Sequence, residues 1–268
     1  MTRKLGLYLL SYKRPIFIQE TIESILSQDY ENFDLIISEN SPDDLVLSVL
    51  QKYAQHPKVR ILKRAPSLPS LEHFNTILKE AVEAYPYVML FHDDDTMNPH
   101  ALQILMTAIE SDTNLSAVSS NAYIIKERNL TTRLFNLNLN RDTKVKDLGE
   151  LIKNYIFNNH TAFPTYIYRT QHIKDLTLNP YDGGKYSDVS FLIKTLERGP
   201  FLWLSQPLFN YRLHGQNDSS IVNMNDITKL CRFYLQKSFL SFPFVAFFFV
   251  KQFTKKFILR SYRTKRST

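Results

Sequence analysis

Three consecutive carboxylates, Asp93, Asp94 and Asp95, end an apolar run in "YVMLFHDDDTMNP", with His92 just ahead of them. Adjacent carboxylates repel one another, so three together ask for a partner. In extended backbone, residues two apart point the same way about 6.6 Å apart, which lets Asp93 and Asp95 face one pocket while Asp94 turns aside. Oxygen ligands of this kind suit Mg2+ or Mn2+, cations that often share their coordination shell with substrate phosphates. The other reading is a solvated turn before the helix at Pro99, with Asp95 or Asn98 meeting helix amides; one or two acids suffice for that.

The elements that carry these residues follow a simple pattern. Over the first hundred residues a short apolar run is followed four times by a helical segment, the signature of parallel βα units with helices covering both sheet faces. Strands are expected at 5–10, 33–38, 59–63 and 87–91. Helices follow Pro15 (Ile18, Ile22, Ile25, Leu26), run through Leu71, Phe74, Leu78 and Val82, and begin again at Pro99 (Leu102, Leu105, Ile109). Ligands bind beyond the carboxyl ends of parallel strands. That rim gathers Ser11, Tyr12, Lys13 and Arg14 after the first strand and Glu39, Asn40 and Ser41 after the second. The set can stack on a base, accept hydrogen bonds from its edge and from a ribose, and counter a phosphate. Taken singly, Arg14 also reads as a cover over the next helix, and "ENSPDD" as a turn with a helix cap.

Past Ile109 the pattern becomes mixed α+β: a strand at 117–125, a polar turn, a helix at 148–155, a strand at 161–168, and closing strands at 201–205 and 208–211. "NPYDGGKYSD" reads as a loop, with Ser187 capping a helix to residue 198. Asp188 is then either a first-turn acid meeting the helix dipole or a general base. His214, in "YRLHGQNDS", is either a solvated turn residue or a metal ligand, in a loop with Gly215, Asn217 and Ser219 polar enough to close over a pocket. With no linker and no repeat, residues 1–225 are expected to form one unit with halves at 1–110 and 111–225, followed by a tail at 226–268.

Composition narrows the classes. Of 268 residues, 44% are apolar and 22% charged, which describes a globular chain. Cys231 is the only cysteine, so an internal disulfide and a multi-cysteine metal site are excluded, and a reducing compartment fits. The apolar run at 5–10 is shorter than a secretory h-region, so the start reads as mature protein. The formal charge of +7 is unevenly placed: 23 basic residues face 26 acidic ones up to residue 226, and the rest holds ten Lys or Arg and no acid. A net acidic body without an RNA motif argues against nucleic acid. The run "FLSFPFVAFFFV" at 239–250 is too short for a span of about 17 to 25 residues. Followed by Lys251, Lys255, Lys256, Arg260, Arg263, Lys265 and Arg266, it suits the anionic inner face of the plasma membrane. Packing on the domain or on a second copy in a homodimer is the alternative.

The ordered set "SYKRP", "ISENSPDD", "HFNTIL", "FHDDD", "YSDVSFLIKTLERG" and "YRLHGQNDS" resembles the family 2 glycosyltransferases over most of the chain. The resemblance implies a GT-A fold, α/β with a Rossmann-like, mostly parallel central sheet flanked by helices, here with a helical basic tail. It implies an inverting sugar transfer from a nucleotide-diphosphate donor, with a lean to uridine, in bacterial surface glycan synthesis on a glycan or lipid-linked acceptor. Carried onto this sequence, Ser11, Tyr12 and Arg14 border the nucleotide, Glu39 contacts the base, and Asn75 and Asp94 belong to the donor site. Asp93 lies near the ribose, Asp95 with Asp93 and His214 holds Mn2+ or Mg2+, Arg212 binds phosphate, and Asp188 is the base. Two departures stand out: Glu39 replaces a more usual aspartate, and Ser187 stands where many members carry a second acid. A sugar-nucleotide nucleotidyltransferase would want a glycine-rich loop, which "LLSYKRPIF" lacks. A non-catalytic binding module would not need the intact acids.

Overall fold

Strands buried on both faces read as nearly continuous apolar runs, and the amino-terminal half is built from such strands. The structure, a computed structural model, describes residues 4–126, 129–214 and 223–264, with side chains as far as 255. Strand β1 (Leu5–Ser11) is followed by α1 (Ile18–Leu26), β2 (Phe33–Glu39), α2 (Leu45–Leu50), β3 (Val59–Lys63), α3 (Ser70–Ala84) and β4 (Tyr87–His92). These strands pair in parallel in the order β3-β2-β1-β4, so all four carboxyl ends share one edge as expected. Helix α1 buries Ile18, Ile22 and Ile25 on one sheet face, and α3 buries Phe74, Ile77 and Leu78 on the other.

The second half departs from expectation in detail. Strand β5 (Thr96–Met97) follows the acidic run, then α4 (Ala101–Ser111), β6 (Ala117–Lys126), β7 (Asn129–Leu134), β8 (Thr143–Val145), α5 (Leu148–Ile156), β9 (Ile167–Arg169), α6 (Ser187–Leu196) and β10 (Phe201–Leu213). The strand expected at 161–168 is mostly a 3-10 turn, Phe163–Thr165, because Pro164 has no N–H for a ladder; only Ile167–Arg169 pairs. The two closing strands are one, β10, whose register against β6 shifts around Pro207 for the same reason. The polar turn after β6 holds an extra strand, β7. Ser187 is the first residue of α6 and not its cap, a position that Tyr186 takes without a side-chain bond.

The chain ends in α7 (Met224–Lys237) and α8 (Phe242–Thr264). Ile227, Leu230, Phe233 and Tyr234 of α7 and Val245 of α8 join the core beneath α3 and α6, so packing continues across the expected division at 225/226. Among the described residues no helix is long and apolar enough to cross a membrane. Gly215, Asn217, Ser219, Lys265 and Arg266 lie outside the described residues, as do the side chains of Lys256, Arg260 and Arg263.

Candidate functional site

The rim begins with a knot between the ends of β1 and β2. Lys13 adopts a left-handed φ of 55°, uncommon for a residue with a side chain, and its N–H donates to Ser41 Oγ at 2.8 Å. Glu39, fully buried, accepts from the Ser11 hydroxyl at 2.5 Å and from the Ser41 N–H at 2.7 Å. Both carboxylate oxygens are thus engaged inside the protein. Glu39, expected to contact a base, here ties two strand ends together.

The acidic run is gripped from several directions. Asp93 accepts from Arg14 Nη1 and from the Tyr12 N–H, each at 2.8 Å. Burial pushes its carboxyl up to about 7, while Arg14 pulls it down. Asp94 Oδ2 meets His214 Nε2 at 2.8 Å and lies 3.5 Å from Arg14. Asp95 Oδ1 accepts from the Arg212 N–H at 2.8 Å, and its carbonyl accepts from Thr21 Oγ1 at 2.8 Å. The other oxygen of Asp95 is buried with no hydrogen-bond partner, and burial raises this carboxyl well above its ordinary value.

The expected alternation along this run fails because β4 ends at His92 and the chain turns at Asp93 and Asp94. Asp94, expected to turn aside, lines the cleft, whereas Asp93 faces Arg14. His92, Asp94 and Asp95 each offer one ligand atom, all within 4.8 Å of one another. A divalent cation fits that group: it would satisfy the orphaned Asp95 oxygen and offset the mutual repulsion of the acids. Asp93, expected as a ligand, is not in that group and bonds to Arg14 and the Tyr12 N–H, and His214 reaches the group through Asp94.

Arg212, expected to bind phosphate, lies behind the acidic turn. It is buried, donating from Nε to the Asp94 carbonyl at 2.6 Å and from Nη2 to Glu20 at 2.7 Å, with its guanidinium 4.8 Å from the Phe17 ring centroid. It braces the acidic turn from behind instead of reaching for phosphate. Asn75 also lies elsewhere: its amide donates to the Leu178 carbonyl and accepts from the Leu178 N–H, pinning the 174–180 segment to α3. A groove of about 970 Å³ runs between those two segments, walled by aliphatic residues such as Leu78, Val82 and Leu176 and by charged ones such as Glu72, Lys79 and Asp175. The titratable chemistry lies in a neighbouring cleft of about 530 Å³.

That cleft is lined by Ser11, Tyr12, Arg14, Asp94 and Asp188. Asp188 sits in the first turn of α6, half-buried, and burial pushes its carboxyl up to about 6 although backbone amides favour the charge. The loop before it turns through Gly183 and Gly184, with φ of 153° and 61°. A Cβ at Gly184 would lie 1.9 Å from Asp226 Oδ1, so only glycine lets α7 seat against this loop. Sequence reasoning missed several lining residues, among them His73, Lys185 and Tyr211. Tyr211 had one signal: alternation in β10 sends it to the face opposite Arg212. Its ring meets Phe135 at 5.0 Å.

The sequence profile described as Glycosyl transferase family 2 matches residues 8–171, more than half of the chain. The chain belongs to glycosyltransferase family 2. It is 24% identical over 226 residues to an uncharacterized glycosyltransferase of Haemophilus influenzae, covering 80% of this chain and 66% of that protein. It is likewise 24% identical over 240 residues to a chondroitin synthase of Escherichia coli, covering 88% of this chain but 32% of the synthase. A Campylobacter jejuni GalNAc(5)-diNAcBac-PP-undecaprenol beta-1,3-glucosyltransferase matches at 27% over 145 residues, 53% of this chain and 45% of that one. Among solved structures, Staphylococcus aureus TarS 1-349 in complex with UDP-GlcNAc superposes with a TM-score of 0.68 at 19% identity, covering 87% of this chain and 66% of TarS 1-349. The family 2 chain therefore has the GT-A fold, an α/β sheet flanked by helices.

Proposed function

We propose that this family 2 protein transfers a sugar from a nucleotide-diphosphate donor, a UDP-sugar, to a hydroxyl of a glycan or lipid-linked acceptor, with inversion at the anomeric carbon. The observation that carries the reading is that one cleft is lined both by His92 and Asp94, two members of the cation-fitting group, and by a separate carboxylate raised to about 6, Asp188. UDP as nucleotide is supported by the TarS complexes with UDP-GlcNAc and UDP. A lipid-linked acceptor is supported by the undecaprenol in the name of the Campylobacter protein.

In this reading Tyr12, about half exposed, offers its ring to the base, and Arg14 adds positive charge beside the phosphates. His92, Asp94 and Asp95 would hold Mn2+ or Mg2+, which when bound neutralises the charge on the departing diphosphate. Asp188 takes the proton from the acceptor hydroxyl as that oxygen attacks, and a carboxyl poised near 6 is mostly ionised at neutral pH. Reaction with a nucleotide donor belongs in the cytoplasm, with the protein peripheral on the inner face of the membrane. The test is a screen of nucleotide sugars for thermal stabilisation with Mn2+ present, followed by transfer assays with any donor that binds. Cation-dependent stabilisation by UDP and a UDP-sugar is expected; equal behaviour with and without cation, or no response to any UDP compound, would overturn the reading.

A further inference from the structure

Polar side chains on a packed helix face are costly unless they find partners, and α1 turns several of them toward one segment. Its Ile18, Ile22 and Ile25 are buried in the core on one sheet face. At about 100° per residue, Thr21 and Ser24 share the neighbouring arc with Phe17 at the amino end, and Glu20 stands at its edge. Gln28 follows just past the carboxyl end. Thr21 is fully buried and Gln28 nearly so.

Every one of these residues meets the acidic turn, the chain that leaves it, or the strand end that clamps it. Thr21 Oγ1 donates to the Asp95 carbonyl at 2.8 Å, and Ser24 Oγ accepts from the Met97 N–H at 3.2 Å. The Gln28 amide donates to the Asn98 carbonyl at 2.7 Å and accepts from the Leu102 N–H at 3.0 Å. Phe17 and Glu20 act one step back. The Phe17 ring lies 4.8 Å from the Arg212 guanidinium and 5.2 Å from the His214 ring, and Glu20 accepts from Arg212 Nη2 at 2.7 Å. Those two partners in turn hold Asp95 and Asp94.

Asp95 is thereby fixed from two sides: Thr21 holds its carbonyl and the Arg212 N–H holds Oδ1, which leaves the buried Oδ2 with no partner. Glu20 has a second effect. Its charge offsets that of the buried Arg212 guanidinium, which otherwise opposes a cation at Asp94 and Asp95.

We infer that α1 positions the acidic turn for a cation: Thr21 through the Asp95 carbonyl, and Glu20 through Arg212, are positioning residues that fix Asp94 and Asp95 in ligating geometry. The cation rests on the glycosyl-transfer reading; the hold of α1 on the turn does not.

The test titrates the full chain with Mn2+ alone, by calorimetry, and reads amide exchange across residues 92–98 without metal. Groups that orient metal ligands typically carry about 10- to 100-fold in affinity. Thr21→Val and Glu20→Gln, close in shape to the residues they replace, should each weaken Mn2+ binding by about tenfold or more, while Thr21→Ser, which keeps the hydroxyl, should stay within about threefold of wild type. Exchange across 92–98 should rise about tenfold in Thr21→Val, with β2 and β3 unchanged. Unchanged Mn2+ affinity in either of the first two variants overturns the inference, even where the melting temperature falls, because that residue then serves stability alone. So does an equal loss in Thr21→Ser and Thr21→Val. Should Thr21→Val fail to fold, Glu20→Gln, at a solvent-exposed position, carries the decision. A wild-type chain that binds no Mn2+ would defeat the functional reading; the exchange comparison then decides the positioning, faster exchange in Thr21→Val upholding it and equal exchange overturning it.

Discussion

On the side of the cleft proposed to take the donor, each carboxylate is held by a group distant in sequence: Asp93 by Arg14 after β1, and Asp94 and Asp95 by His214 and the Arg212 backbone at the end of β10. On the side proposed to take the acceptor, Asp188 is carried by one helix start, behind a loop that turns through two glycines. The contrast fits the two tasks. Charge that develops on a diphosphate is best met by groups already fixed in place, since they cost no reorganisation. An acceptor is met by loops, whose variation changes what is bound without disturbing the scaffold.

The sharpest break in this comparison is the pair Asp95→Ala and Asp188→Ala. Each should lower transfer by about a thousandfold or more while the fold survives. They should separate in Mn2+-dependent UDP titration, weakened by the first and unchanged by the second. If Asp188→Ala kept near-normal turnover with its acceptor, the acceptor-side half of the contrast would fall. Next is Arg14→Ala, which leaves Asp93 buried without its cation. A fully buried pair broken this way costs about 3 to 5 kcal/mol; with a quarter of the Arg14 side chain exposed, about 2 to 4 kcal/mol in urea unfolding is expected, with Arg14→Lys recovering part. A pH profile tests the other side. With its carboxyl raised to about 6, Asp188 is protonated below that pH, so kcat/KM should fall about tenfold per unit below 6 and level above it. A profile flat between pH 5 and 7 would remove Asp188 as the base. Smallest is Asn75→Ala, which removes two hydrogen bonds to Leu178, for a loss of about 1 to 2 kcal/mol in thermal unfolding with UDP affinity unchanged.

The donor side was the more legible in the sequence, because its logic is local: apolar runs of β1 to β4 announce parallel strands, and parallel strands bring Ser11, Tyr12, Arg14 and the acids to one edge. What a local reading misses is which way a side chain faces once the strand stops. Asp94 points into the cleft because the turn begins at Asp93, and no periodicity continues through a turn. The inward roles of Glu39 and Arg212 depend on partners 28 and 192 residues away, Ser11 and Glu20. Asn75 is held to Leu178 across 103 residues. Such pairings carry no signature in spacing. Pro164 and Pro207 cannot donate to a ladder, yet whether each ends a strand or only shifts it is decided by the strands beside them.

The grip of β10 on the acidic turn has a consequence for biosynthesis. Arg212 contacts Asp95 across 117 residues of chain, so the first hundred residues can emerge from a ribosome and begin to pair while their acids are still unclamped. The family profile ends at residue 171, before β10 starts. A fragment cut at that limit would contain every acid of the turn and still lack the strand that aims them.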